Sequence, residues 1–408
     1  MGYFNKRETL ALALVYPRSS VILKAKNLPR VPGNSVQCAA VKNPMRALLL
    51  GIFIASICAP CAWAQRIDER EVTIPWALAG HNGLDALLVY AELPGKHPLV
   101  VITHGSSRKA EEHAEVTPWQ ELPQAIWFAR RGWVALVVVR RGYGISGGEQ
   151  DTRHAGKCPV TDYEGAAEYG AEDLRVAIEY GRALPQVDAE HVIAVGVSTG
   201  GLATVALTAN APPGLVAAIS FAGGRGSKGD HDVCNPGDLV NAFKDFGKRS
   251  RTPMLWIYAE NDKFFWPELA QKFDEAFRSK GGRDQFVRAP AVGEDGHALF
   301  RHVADWSATV DEFLKAQNLV TMEQPLPEIT PPNVALPAGL SEKGLEAFKD
   351  YLLLGPHKAF ATSQHAFGFS TARRTVEEAR EKAMENCKHA TQDGAACAVV
   401  SVDNAEVR

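Results

Sequence analysis

Short runs of Val, Ile, Leu and aromatic residues recur along this chain, separated by longer stretches in which apolar positions return every three or four residues. Leu99–Thr103, Trp133–Val139, His191–Val195, Leu215–Phe221, Pro253–Ala259 and Phe286–Pro290 are of the first kind. Each reads as a strand buried on both faces. Glu121–Arg131, Gly165–Leu184, Gly201–Asn210, Pro267–Lys280 and Ala304–Gln317 are of the second kind and predict helices. Such alternation of strands and helices predicts an α/β fold, a mostly parallel, doubly wound sheet covered by helices.

The pattern breaks after Leu319. Gln324-Pro325-Leu326-Pro327, Thr330-Pro331-Pro332 and Leu336-Pro337 cannot hold a regular helix and mark a Pro-rich linker over 320–339. Beyond it, Gly344–Leu354 and Val376–Cys387 predict helices, and Ala359–Gln364 and Ala396–Val402 predict strands. The main domain is therefore expected at 65–319 and a small α+β domain at 340–408, short enough to need a covalent staple.

The N-terminus predicts export. Met45-Arg46 precedes an apolar run, Ala47–Ala59, and an Ala62-Trp63-Ala64-Gln65 ending, the layout of a cleavable secretory signal over 45–64. At about 13 residues the run falls short of the roughly 20 that a membrane span needs. Ile57 and Pro60 stand where a small residue would precede a lipidated Cys58 or Cys61, which argues against a lipoprotein. Residues 1–44 read as a disposable leader or a mis-assigned start. The expected location is periplasmic or secreted, with no stable membrane insertion after cleavage.

Composition changes this picture little. The chain has 408 residues, 46% hydrophobic and 22% charged, with a formal net charge of -3, which gives no global reason to expect nucleic acid or an anionic membrane surface as partner. A small-molecule substrate is the better expectation. Beyond Gln65 four cysteines remain, Cys158, Cys234, Cys387 and Cys397. Four allow three connectivities. Locality favours Cys387–Cys397 in the small domain and Cys158–Cys234 in the main one. Two histidines, His154 and His231, accompany the latter pair, and two His with two Cys suit zinc. An even cysteine count in an exported chain favours the disulfide, so no metal is assigned.

The sharpest chemical signal is Gly196-Val197-Ser198-Thr199-Gly200, directly after one predicted strand and directly before a helix. A turn this tight leaves room only for glycine at its flanks and lifts Ser198 clear of the sheet. A serine hydroxyl needs a base, and the base needs a carboxylate to orient it. Asp262 follows the strand Pro253–Ala259, with Glu260 a weaker rival, and His297 follows the strand Phe286–Pro290. The order Ser, Asp, His places all three beyond the C-terminal ends of strands, where open α/β sheets bind ligands. The oxyanion donors are assigned to the backbone N–H of Thr199, at the start of its helix, and to that of Ser106 in His104-Gly105-Ser106-Ser107.

These segments resemble the dienelactone-hydrolase-like and prolyl-oligopeptidase-like branch of the α/β hydrolases over about 70–320. The resemblance implies the α/β-hydrolase fold and acyl transfer through an acyl-enzyme, for which no cofactor is needed. Arg141-Gly142-Tyr143-Gly144-x-Ser146-Gly147 is also similar to a loop of that branch, although Arg140 stands where many members carry an acidic residue. Arg140, Arg141 and Tyr143 are candidate substrate contacts, with a structural ion pair as the alternative for the arginines. The C-terminal region resembles a small cysteine-paired module appended to other exported bacterial proteins.

A carboxylesterase-type serine hydrolase is the leading expectation. A peptidase of the same fold is the rival, although the roughly 30 residues between Gln65 and the first predicted strands leave no room for the β-propeller that such peptidases carry. Ser198 argues against a dehalogenase, which uses a carboxylate at that turn. A catalytically silent binding protein is the alternative of another class.

Overall fold

The computed structural model describes residues 67–150, 158, 161–322, 324–328, 334–364, 366–391 and 395–407. The leader, the signal peptide, His154 and the Thr330–Pro332 part of the linker lie outside the described residues.

Eight strands form the main sheet: β1 (Ile67–Ile74), β2 (Leu84–Ala91), β3 (His97–Thr103), β4 (Val134–Val138), β5 (Val187–Val197), β6 (Leu215–Phe221) and, after a small hairpin of β7 (Ser227–Gly229) and β8 (Asp232–Val233), β9 (Met254–Ala259) and β10 (Asp284–Ala289). Their spatial order is β1-β2-β4-β3-β5-β6-β9-β10. β1, β2 and β4 pair antiparallel, and every pairing from β4 to β10 is parallel. The order turns back at β3 and β4, which sets the strand ends that carry the candidate site next to one another.

Helices cover both faces: α1 (Leu122–Ala129), α2 (Tyr163–Arg182), α3 (Thr199–Ala209), α4 (Pro236–Arg249), α5 (Pro267–Arg278) and α6 (Val303–Ala316). Alternate residues of each central strand feed two different cores. On β3, Leu99 and Val101 face the α2, α3, α4 and α5 side, whereas Val100 and Ile102 face α1 and α6. Burial of both faces is why these strands read as unbroken apolar runs.

Two strands precede the first one predicted. β1, IDEREVTI, is an edge strand with four charged residues, of which Arg70 and Glu71 are exposed, so it carries no apolar run to detect. The amphipathic α4, with Leu239, Ala242, Phe243 and Phe246 buried, was likewise not predicted.

The C-terminal module has its own sheet, in the order β12 (Phe367–Ser370), β11 (Ala359–Thr362), β13 (Ala398–Val402), β14 (Ala405–Glu406), with helices α7 (Glu342–Leu353) and α8 (Val376–Ala390). Ser341 and Thr375 cap the two helices, each accepting a backbone N–H three residues on. Cys387 is bonded to Cys397, joining α8 to the approach of β13. Cys158 is bonded to Cys234, beside the start of α4. Among the described residues, no helix is long and apolar enough to cross a membrane.

The module packs on the main domain through the segment between β3 and α1. The Thr117 hydroxyl donates to the Ala372 carbonyl at 2.7 Å, Arg373 pairs with Glu115 at 3.1 Å, and the rings of Trp119 and His357 meet edge-on at 4.7 Å.

Candidate active site

Ser198 sits between β5 and α3 with φ 55° and ψ -119°. A non-glycine residue at positive φ costs energy that the surroundings must offset, and such strain gathers at working sites. Crowding explains the flanking glycines. A Cβ on Gly196 would lie 2.2 Å from the Gly200 carbonyl oxygen, and one on Gly200 would lie 2.4 Å from that of His104.

Asp262 is fully buried in the loop after β9. Its Oδ1 accepts the backbone N–H groups of Phe264 and Phe265 at 2.8 and 2.9 Å, which fixes the carboxylate. His297 Nδ1 lies 3.2 Å from both Asp262 oxygens. The backbone of His297 is held in turn, because Asp295 Oδ1 accepts its N–H and that of Lys263, each at 3.0 Å. Glu260, the rival acid, is exposed.

The imidazole also has a packed face. Phe264 stacks on His297 with ring centroids 3.8 Å apart and planes 5° from parallel, and the Arg108 guanidinium lies 3.6 Å from the centroid of the same Phe264 ring. Two groups so close to one centroid must occupy opposite faces of it. Arg108 is anchored on the hairpin by hydrogen bonds to Ser227 and Gly229 and an ion pair with Asp230. The hairpin between β6 and β9 thus braces the histidine through one guanidinium and one phenyl ring.

Ser198 and His297 line one cleft of about 540 Å³, together with Gly105, Ser106 and Phe264. Among the described residues the Ser198 hydroxyl makes no hydrogen bond, to His297 or elsewhere. Gly105 passes so close that a Cβ there would come within 3.0 Å of the Ser198 Cβ, which sets the Ser106 backbone beside the serine. Thr199 is the first residue of α3, where a backbone N–H has no intrahelical acceptor.

Arg140, Arg141 and Tyr143 lie elsewhere. All are buried, and none lines the cleft that holds Ser198. Arg141 is committed to acids, donating to Asp173 at 2.5 Å and to Glu172 at 3.0 Å. Burial, opposed by that arginine, pushes Asp173 up to about 6. Arg140 donates to the His104 carbonyl and to the Thr199 hydroxyl, and Tyr143 shares a 2.7 Å hydrogen bond with the Ser106 hydroxyl. Their place is behind the cleft, supporting its loops. The direct-contact assignment is corrected on this point: side chains after β4 are drawn into the polar seam beneath the loops because acceptors wait for them there.

The sulfurs of Cys158 and Cys234 are joined to each other, so they are not thiolates free to bind metal. Among the described residues no group of three or more His, Cys, Asp or Glu side chains is placed to hold a metal ion.

With this geometry in place, the sequence comparison decides the family. The profile of the dienelactone hydrolase family matches residues 84–317. The chain belongs to the dienelactone hydrolase family. The match begins at β2 and ends just past α6, so the C-terminal module lies outside it. None of the curated proteins matches the chain in sequence. Similar solved structures include a putative dienelactone hydrolase from Klebsiella pneumoniae, with 16% identity and a TM-score of 0.42 over 62% of this chain and 99% of that one. An esterase of Pyrococcus furiosus has 16% identity and a TM-score of 0.41 over 62% and 90%. An acylaminoacyl peptidase of Pyrococcus horikoshii has 19% identity and a TM-score of 0.44, and the match spans 61% of this chain but 41% of that longer one.

Several cleft residues escaped the sequence reading, Arg108, Phe264, Asp295 and Glu121 among them. Glu121, immediately before α1, lines the cleft although it is only 8% exposed. An acid at the start of a helix normally reads as a solvated charge that favours the helix dipole, and nothing in its neighbours reveals its burial.

Proposed function

We propose that this member of the dienelactone hydrolase family is an exported serine hydrolase that cleaves carboxylic esters. Ser198 attacks the carbonyl carbon while His297 takes its proton. Asp262 holds the imidazole and stabilises the cation that forms, and the N–H groups of Ser106 and Thr199 receive the oxyanion. The protonated His297 then gives its proton to the departing alcohol, leaving an acyl-enzyme on Ser198. Water, deprotonated by His297, releases the acid and restores the serine.

The observation that carries this reading is the contact of His297 Nδ1 with both oxygens of a fully buried Asp262, in a cleft shared with a serine held at positive φ. The open Ser198–His297 spacing agrees with a resting site, since such bonds often tighten only when substrate is bound. Export is supported by the signal-like segment at 45–64 and by two disulfides, which persist in oxidising compartments.

The test is turnover of matched p-nitrophenyl esters and p-nitroanilides by the folded protein and by Ser198→Ala. Ester hydrolysis lost in the variant supports the reading. Faster cleavage of the anilides would replace it with the peptidase, and equal rates in both proteins would remove Ser198 from the chemistry. Export is checked by locating the mature chain, with its N-terminus at Gln65, outside the cytoplasm.

A further inference from the structure

The charged side chains around the cleft are nearly all engaged. Arg108 is held by the hairpin, Lys109 pairs with Glu112 at 3.0 Å, and Glu115 pairs with Arg373 and Lys382 of the C-terminal module. Asp295 is satisfied by two backbone N–H groups.

Glu121 differs. Its carboxyl neither caps α1 nor pairs with any described residue, yet it is more than nine-tenths buried and lines the same cleft as Ser198. Its position is fixed from several sides. Thr117 and Trp119, in the turn that leads to it, are held by Ala372 and by Glu71, and Gln124, one turn into α1, donates to the Phe300 carbonyl at 2.8 Å. The carboxyl is therefore held facing the cleft by a braced wall. A buried, unpartnered carboxyl costs stability that a Gln or Met of similar size would not. Such a cost is tolerated where a ligand supplies the missing partner.

We propose that Glu121 makes this wall of the cleft a subsite for an amine cation, so that the ester cleaved at Ser198 carries an ammonium group on the portion lying against the start of α1. The choice of a cation follows from the acceptor. A carboxylate has only acceptor atoms, and an ammonium supplies both hydrogen-bond donors and the countercharge whose absence makes its burial costly. Arg301, exposed on the cleft, acts on the carboxyl through charge, with no hydrogen bond between them among the described residues. Burial pushes Glu121 up to about 7 while Arg301 opposes the rise, so the acid form prevails below neutrality and the subsite forms above it.

The proposal rests on the serine-hydrolase reading for what becomes of the ligand, but its test is binding alone. Hexylammonium and hexanol, equal in chain length, are titrated by calorimetry into the folded protein and into Glu121→Gln at about pH 6 and about pH 8. Near pH 8 the ammonium should bind the native protein about tenfold more tightly than the alcohol, equivalent to about 1.4 kcal/mol. The preference should shrink near pH 6 and vanish in Glu121→Gln, which assigns the pH dependence to Glu121. Equal binding of the two ligands, no ammonium binding at all, or a preference that survives in Glu121→Gln would overturn the subsite. If Glu121→Gln does not fold, the pH dependence in the native protein decides: a preference that does not grow from about pH 6 to about pH 8 rejects it. Ester turnover in Ser198→Ala is measured separately, so a catalytic failure and a subsite failure have different signatures.

Discussion

Arg140 Nη2 donates to the Thr199 hydroxyl at 2.9 Å, and Nη1 of the same guanidinium donates to the carbonyl of His104. One buried cation thus ties the loop after β3 to the start of α3, the two segments to which the oxyanion donors are assigned. Arg140→Met should lower kcat about tenfold to a hundredfold with KM little changed, less than the loss of a donor itself. Arg140→Lys should recover part of it, because an ammonium reaches one of the two acceptors but not both. Steady-state kinetics on a soluble ester, beside melting temperatures to show that both variants fold, check this. An unchanged kcat in Arg140→Met would leave the guanidinium a purely structural part.

Asp262→Asn should keep the fold and lose about a thousandfold to ten-thousandfold in kcat. An amide can still meet His297 Nδ1 but presents no charge to a forming imidazolium and accepts the alternative tautomer. The Phe264 stack should hold the ring in place, so KM should change little. A loss below about tenfold would point to Glu260 or another acid as the partner.

The sequence made the centre of this fold legible and its margins less so. β3, β5, β6 and β9 were predictable because both of their faces are buried, which forces runs of Val, Ile and Leu. β1 was not, because an edge strand that carries Asp68, Glu69, Arg70 and Glu71 in succession holds no such run. α4 did carry a signal, Leu239, Ala242, Phe243 and Phe246 at helical spacing. The chemistry followed the same division. Ser198, Asp262 and His297 are recognisable by order and by their place after strands, and the structure brings Asp262 and His297 into contact and His297 into the serine's cleft. The burial of Glu121 and the inward turn of Arg140 depend on neighbours far along the chain, such as Ala372 and Thr199, and no local pattern encodes them.

Asp284 and Asp274 form a second buried acidic feature, remote from the cleft. Both oxygens of Asp284 and Oδ1 of Asp274 are buried without hydrogen-bond partners. Burial, reinforced by the Asp274 carboxyl, pushes Asp284 up to about 8. The unfolded chain releases this proton near the ordinary carboxyl value of about 4, whereas the folded protein holds it until about pH 8. The folded state therefore binds more protons across that window, and its stability falls as pH rises through it. Asp284→Asn should raise the melting temperature at about pH 8.5 and leave it nearly unchanged below about pH 4. An equal gain at both values would mean that the effect is one of packing and not of charge.

The C-terminal module should depend on its staple. The Cys387–Cys397 bond closes a short loop, with ten positions of sequence separation, against the buried end of α8. Replacing both cysteines with serine should cost the module about 2 to 3 kcal/mol. Because the module holds Thr117 and Glu115, the loss should reach the cleft as a raised KM before kcat falls. Thermal unfolding followed by near-ultraviolet circular dichroism, with KM determined below the transition, tests both parts.

The central claim is that Ser198 is an activated nucleophile. The direct measurement is treatment of residues 65–408 with a fluorophosphonate, followed by peptide mass spectrometry, beside the same treatment of Ser198→Ala. The account predicts a stoichiometric adduct on the peptide carrying Ser198, absent from the variant and strongly slowed in His297→Ala. A folded sample that takes up no label, or one labelled at another residue in both proteins, would contradict it.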